Sequence, residues 1–163
     1  MLKGKKVLVL GLAKSGQAAV ELLDKMHATI TVNEFASREK IACYDDYVNR
    51  GIEMVVGGHP DELFERDFDF VVKNPGINYH KPFILRLKER GIPVYTEIEL
   101  GYQLAKHQNY IAITGTNGKT TTVTLIDKIL RDAKHLVSLA GNVGTPYSLS
   151  LIHISEPTRP EPI

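Results

Sequence analysis

Apolar positions along the chain fall into short runs separated by stretches with helical spacing. Lys6–Leu10 (KVLVL) holds four apolar residues in a row, the form of a strand buried on both faces. Ala19, Leu22, Leu23 and Met26 follow at i, i+3, i+4 and i+7, one stripe of a helix. Thr29–Asn33 (TITVN) is rich in β-branched residues and predicts a second strand. Ser37 is placed to cap a helix running to about Arg50, which Gly51 would end. Ile52–Val56, Phe68–Val72 and Ile92–Tyr95 are further strand candidates, and Pro82–Arg90 reads as a helix closed by Gly91. Residues 1–95 thus predict the order β-α-β-α-β-(α)-β-α-β, and with it a Rossmann-like doubly wound parallel sheet of the α/β class.

A second unit follows, with residues 96–108 (helical by pattern in EIELGYQLAK) as the joint. Tyr110–Thr114 (YIAIT) predicts a buried strand, GTNGKTTT a glycine-containing turn, and Val123, Ile126, Ile129 and Leu130 mark a helix. Leu136–Leu139 is the next strand candidate. This is the start of a phosphate-loop α/β domain, spanning residues 96–148 and expected to be truncated. The last fifteen residues are of another character, since three of the eight prolines fall in the final seven positions. Leu149–Arg159 (LSLIHISEPTR) resembles the translation of a transposase-type sequencing adapter. Leu149–Ile163 is therefore treated as a read-through tail that should pack poorly and bury little.

Composition narrows the function. The net charge of +1 argues against a dedicated nucleic-acid binder. One cysteine, Cys43, excludes an intramolecular disulfide framework and suits a reducing compartment. No apolar run approaches the ~20 residues of a membrane helix. The opening MLKGKKVLVLGLAKSG is interrupted by glycines and lacks a small-residue cleavage site, so it is a first strand rather than a signal peptide. A cytoplasmic, monomeric protein is expected.

Four constellations carry chemistry. Gly11, Leu12, Ala13, Lys14, Ser15 and Gly16 lie between the first strand and its helix, where helix N–H groups favour a phosphate. Glu34 stands 18 positions after Gly16, within reach of a ribose or base. Ala13 replaces the middle glycine of the dinucleotide pattern, and a tight turn without a ligand remains an alternative. The second constellation, Gly115, Thr116, Asn117, Gly118, Lys119, Thr120 and Thr121, has the strand-to-helix context of a phosphate loop. Lys119 supplies charge for terminal phosphates and Thr120 a hydroxyl ligand for Mg²⁺. Ile113 stands where the common pattern has its first glycine, so the loop is a short variant. The third, Lys73-Asn74-Pro75-Gly76-Ile77, follows a strand and is equally readable as a simple Pro-Gly turn. The fourth, Gly141-Asn142-Val143-Gly144, offers Asn142 as a donor to phosphate or sugar. The histidines share no metal-ligand spacing.

Taken together, VLVLGLAKSG, TVNE, KNPGI, TEIEL, GTNGKTTT and GNVG resemble the Mur ligases, the ATP-dependent amide-forming enzymes of peptidoglycan synthesis. The resemblance covers residues 1–148. Within the family these segments look like the branch that joins D-glutamate to UDP-N-acetylmuramoyl-L-alanine. It implies that residues 1–95 bind the UDP part of the substrate. Gly11–Gly16 would face the diphosphate or uridine, and Glu34, usually Asp in the family, would contact uracil. Asn74, Pro75 and Gly76 would lie beside the nucleotide, and Asn142 near the diphosphate and sugar. Gly115–Thr121 would bind ATP, with Lys119 and Thr120 catalytic and Thr120 on Mg²⁺. The family's remaining metal ligand, carbamylated lysine and D-glutamate site have no counterpart in these residues, so the chain alone is expected to be inactive. Two other readings stay open: an NAD-dependent oxidoreductase or sensor built on residues 1–95, and another phosphate-loop ligase, such as one similar to folylpolyglutamate synthase. Ala13 and the phosphate loop downstream count against the first, and KNPGI and TEIEL are left unexplained by a third, a phosphate-loop NTPase with an unrelated N-terminal module.

Overall fold

The computed structural model describes residues 2–105, 108–141 and 145–154. Five strands, β1 (Lys6–Leu10), β2 (Thr29–Glu34), β3 (Glu53–Val56), β4 (Phe70–Lys73) and β5 (Val94–Thr96), form one sheet in the order β3-β2-β1-β4-β5. Every pair is parallel, with Val7 opposite Ile30 on one side and opposite Phe70 on the other. The strand order reverses at β1, whose neighbours β2 and β4 lead outward in opposite directions.

The period of two along β1 builds two cores. Val7 and Val9 point to one face, where they join Ala19, Leu23, Val32, Val72 and Leu100. Leu8 and Leu10 point to the other, where they meet Leu63, Phe64, Val71, Ile84 and Leu87. Helices α1 (Lys14–Lys25) and α2 (Tyr44–Asn49) cover the first face, α3 (Asp61–Phe64) and α4 (Pro82–Glu89) the second. All four of Val7 to Leu10 are fully buried, each worth about 1.5–3 kcal/mol against exposure. Helix α5 (Glu97–Leu104) begins with a reciprocal cap: Thr96 Oγ1 accepts from the Glu99 N–H, and the Glu99 carboxylate accepts from the Thr96 N–H. Its Leu100 packs into the first core.

Three expectations are corrected. The helix from Ser37 to Arg50 is split into a 3-10 turn, Arg38–Lys40, and α2, and Ser37 makes no side-chain cap. Tyr110–Thr114 and Leu136–Leu139 adopt no strand; no described segment pairs with them, and the side chains of Ile111 and Leu136 are exposed. The helix between them, α6 (Lys119–Asp132), forms as expected but has no buried residue. The third concerns the tail. Tyr147–Ile154 form α7, which packs on α1 and α5. Leu151 is buried in the first core, and the Ser148 N–H donates to the buried Glu97 carboxylate. The reason is that Tyr147 and Leu151 lie directly against Gly101, whose missing side chain leaves them room. Ser155–Ile163 lie outside the described residues. Among the described residues no helix is long and apolar enough to cross a membrane.

Candidate functional site

The carboxyl ends of β1 and β4 lie where the strand order reverses, the place where open parallel sheets bind ligands in a crevice. Gly11 leaves β1 with φ +85°, and its N–H donates to the Asn33 carbonyl at 2.9 Å. A Cβ on Gly16 would stand 1.9 Å from the Gly11 carbonyl oxygen, so only glycine lets α1 start this close to the strand. Lys14, Ser15 and Gly16 form the first turn of α1, where a helix's N–H groups have no carbonyl of the helix before them, and no side chain caps it. Asn74 closes the opposite wall. Its N–H joins the Leu10 carbonyl at 2.8 Å, its Nδ2 donates to Ser15 Oγ at 3.3 Å, and its Oδ1 accepts from the Gly76 N–H at 2.9 Å. One side chain thus ties the Asn74-Pro75-Gly76 turn to the loop after β1.

Glu34, at the end of β2, completes the third side. Its Oε2 accepts from the Leu12 N–H at 2.6 Å and its Oε1 from the Ala36 N–H at 3.1 Å. Gln17 Nε2 donates to the Leu12 carbonyl at 2.9 Å, which fixes the same loop from the helix side. The structure therefore brings together Gly11–Gly16, Glu34 and Asn74–Gly76, as the sequence suggested.

The sequence reading gave no role to Asn33 or His59, and took Lys73 only as the first residue of the turn after β4. Asn33 is fully buried, donates to the carbonyls of Val55 and Gly58, and meets His59 Nδ1 at 2.5 Å. The His59 ring lies between Phe35 and Phe83, at 5.7 and 4.8 Å between centroids, and burial lowers its pKa below 6.5. Lys73 is a buried cation at the end of β4. Two of the three left a signal, Asn33 as a polar residue ending an apolar strand in TITVNE and Lys73 as a charged one in FVVK, whereas His59 left none.

The phosphate-loop residues stand apart from this crevice, at the start of α6. Gly118 caps the helix with φ +76°, and Lys119, Thr120 and Thr121 form its first turn. Lys119 Nζ folds back onto the carbonyls of Gly115 and Thr116, the latter at 3.2 Å. Residues 114–122 are exposed. A cavity of about 710 Å³ separates the loop from α5, with Tyr102, Tyr110, Lys119, Thr120 and Val123 on its walls. Asn142 lies outside the described residues.

The chain is similar to known proteins along both units. Residues 5–96 match the Mur ligase MurD-like N-terminal domain, more than half of the chain, and residues 113–163 match the Mur ligase middle domain. It is 48% identical over 147 residues to the UDP-N-acetylmuramoylalanine–D-glutamate ligase of Streptococcus thermophilus LMD-9, covering 90% of this chain and 32% of that protein. It is 49% identical over 146 residues to the ligase of the same name in Streptococcus pneumoniae Hungary19A-6, covering 90% and 32%. The chain thus spans about a third of the length of these relatives. Among solved structures, the murein peptide ligase of Psychrobacter arcticus 273-4 shares the fold, with a TM-score of 0.55 at 20% identity over 80% of this chain and 27% of that one. With the N-terminal domain matched over more than half of its length and the middle domain after it, the chain belongs to the Mur ligase family.

Proposed function

We infer that the chain carries the UDP-substrate site and the ATP loop of a ligase that joins D-glutamate to UDP-N-acetylmuramoyl-L-alanine in cytoplasmic peptidoglycan synthesis. The observation that carries the reading is the convergence of Gly11–Gly16, Glu34 and Asn74–Gly76 on one crevice. The opening N–H groups of α1 suit the diphosphate. Glu34, already held by Leu12 and Ala36, retains lone pairs for the uridine. Residues 1–95 are the substrate unit and 96–148 the start of the ATP unit, with α5 as the joint; Asn142 belongs to the substrate set.

In the reaction the γ-phosphoryl group of ATP passes to the substrate carboxylate, and ADP leaves. The D-glutamate amine then attacks the acyl phosphate and expels phosphate. The loop's donors fit a polyphosphate: Gly115–Thr121 present helix N–H groups, and the Lys119 ammonium already sits over the loop. Lys119 offsets charge on the phosphoryl group in transit. The Thr120 hydroxyl would hold Mg²⁺, which would supply charge neutralisation at the phosphates.

Isothermal titration of the chain with UDP and with NADH tests the reading. Binding of UDP, stronger with UDP-N-acetylmuramoyl-L-alanine, and no heat with NADH is expected. A folded sample that takes NADH but not UDP would overturn it. Turnover by this chain alone is not expected, because phosphoryl transfer needs the acceptor and several groups positioned at once. Phosphate release that requires both substrates and is lost in Lys119→Ala would show otherwise.

A further inference from the structure

Lys73 ends β4 with its main chain in the sheet, opposite Leu10 on one side and Thr96 on the other. The residue is only 2% exposed. Its Nζ donates to the Ile77 carbonyl at 2.9 Å and to the Asn74 carbonyl at 3.3 Å. It also sits 4.0 Å from the centroid of the Tyr79 ring, a favourable place for a cation. All these partners belong to the segment 74–79, so the ammonium fills the inside of the turn whose outer side faces the crevice. Ile77 in turn lies close to Gly11, where an added Cβ would meet its Cδ1 at 3.6 Å.

A buried charge is an expensive way to fill space, and an apolar chain of the same length serves packing equally well or better. Burial holds this amine below the usual lysine range, with Lys88 reinforcing and Glu99 opposing. The charge therefore serves something other than the core. We propose that Lys73 is a positioning residue: it holds the Asn74–Ile77 turn from beneath and lends its positive charge to a diphosphate bound on the turn's outer side. This rests on the UDP reading of the crevice. The carbonyls of Asn74 and Ile77 are drawn inward to the ammonium. The turn's own N–H groups are already engaged, Asn74 with the Leu10 carbonyl, Gly76 with Asn74 Oδ1 and Ile77 with the Asn74 carbonyl, so the attraction for an anionic ligand comes from the ammonium beneath them.

The test uses Lys73→Met, which keeps length and removes charge, and Lys73→Arg, which keeps charge. Thermal unfolding and UDP titration are measured on each. Lys73→Met is expected to fold with some loss of stability, because the Asn74 and Ile77 carbonyls lose their donor, and to bind UDP about tenfold or more weakly through loss of the nearby positive charge. Lys73→Arg is expected to recover part of that loss. Should Lys73→Met fail to fold, Lys73→Gln carries the same expectation. Wild-type affinity for UDP in a folded uncharged variant would overturn the proposal while leaving the crevice as the UDP site. No UDP binding by the folded wild type would instead remove the reading on which it rests.

Discussion

The Asn33 amide is fixed from three directions. Its Nδ2 gives both protons, to Val55 at 3.0 Å and Gly58 at 2.8 Å, so its Oδ1 is an acceptor and His59 Nδ1 must carry a proton. The His59 ring, enclosed by Phe35 and Phe83, has its pKa lowered chiefly by burial; Lys81 adds to this and Glu34 opposes it. In the unfolded chain the imidazole takes up a proton near pH 6.5, whereas in the fold it resists. Stability from this group is therefore present above about pH 6.5 and is lost as pH falls below that value toward the folded pKa. Denaturant unfolding between about pH 7.5 and 5.5 should show wild type losing stability faster than His59→Gln. The difference should be well under the ~1.4 kcal/mol per pH unit of a full proton, because the ring is only partly buried. Equal slopes would refute this. Glu53 and Asp69, whose pKa values are lowered by Arg66 and Lys5, act in the same direction but at lower pH and in both proteins. Of this arrangement the sequence revealed Glu34 alone. Asn33 and His59 stand 26 positions apart, and only the β2–β3 pairing brings them together.

At the scale of the element, legibility follows how much of each segment's energy is local or repeated. β1 was readable because burial on both faces demands an unbroken apolar run. α5 was readable from the helical pattern of EIELGYQLAK, which agrees with the local cap that Thr96 and Glu99 form at its start. Residues 37–50 were harder: the end signals Ser37 and Gly51 suggested one helix, yet Ile41 and Cys43 turn toward the first core, and the chain pauses between Lys40 and Tyr44 to reach it. The misreading of Tyr110–Thr114 has a different cause. A parallel strand is made by its neighbours, and apolar composition without a pairing partner leaves Ile111 61% exposed. α6 needs no partner to form, since its hydrogen bonds are internal and Lys128–Asp132 and Asp127–Arg131 pair along its surface. The same helix therefore exists without packing, while the strands that should flank it do not. α7 was missed for the opposite reason, because its anchors on α1 and α5 are distant in sequence: Lys25 Nζ reaches the Ile152 carbonyl at 3.1 Å.

Across the whole molecule, burial is distributed very unevenly. The sheet and its helices hold nearly every buried apolar side chain, from Val7 to Leu100, and Leu151 of α7 joins them. Between residues 108 and 141 no described residue is buried. Leu125 and Ile129 are 55% and 64% exposed on α6, and Leu136 is fully exposed. Opening of such a segment exposes little new apolar surface, so its free energy should lie near zero, against the ~5–15 kcal/mol of a cooperative domain. Its i,i+4 ion pairs add about 0.3–0.5 kcal/mol each and do not change that order. Proteases require a locally unfolded stretch, so the difference becomes one of cleavage rate. Trypsin has targets in both regions: Lys128, Arg131 and Lys134 in and after α6, and Arg50, Lys73, Arg86 and Lys88 in the sheet unit. Lys134 is already in the left-handed region, with φ +63°, just past the helix end. Brief digestion followed by intact-mass measurement should show cuts at Lys128, Arg131 or Lys134 first, with the sheet unit surviving as a folded core. First cuts at Arg50, Lys73, Arg86 or Lys88, with α6 left whole, would contradict this division of stability. Under the proposed function, ATP contacts at Gly115–Thr121 should slow the early cuts, since a ligand that binds only the ordered loop lowers the population of its open form.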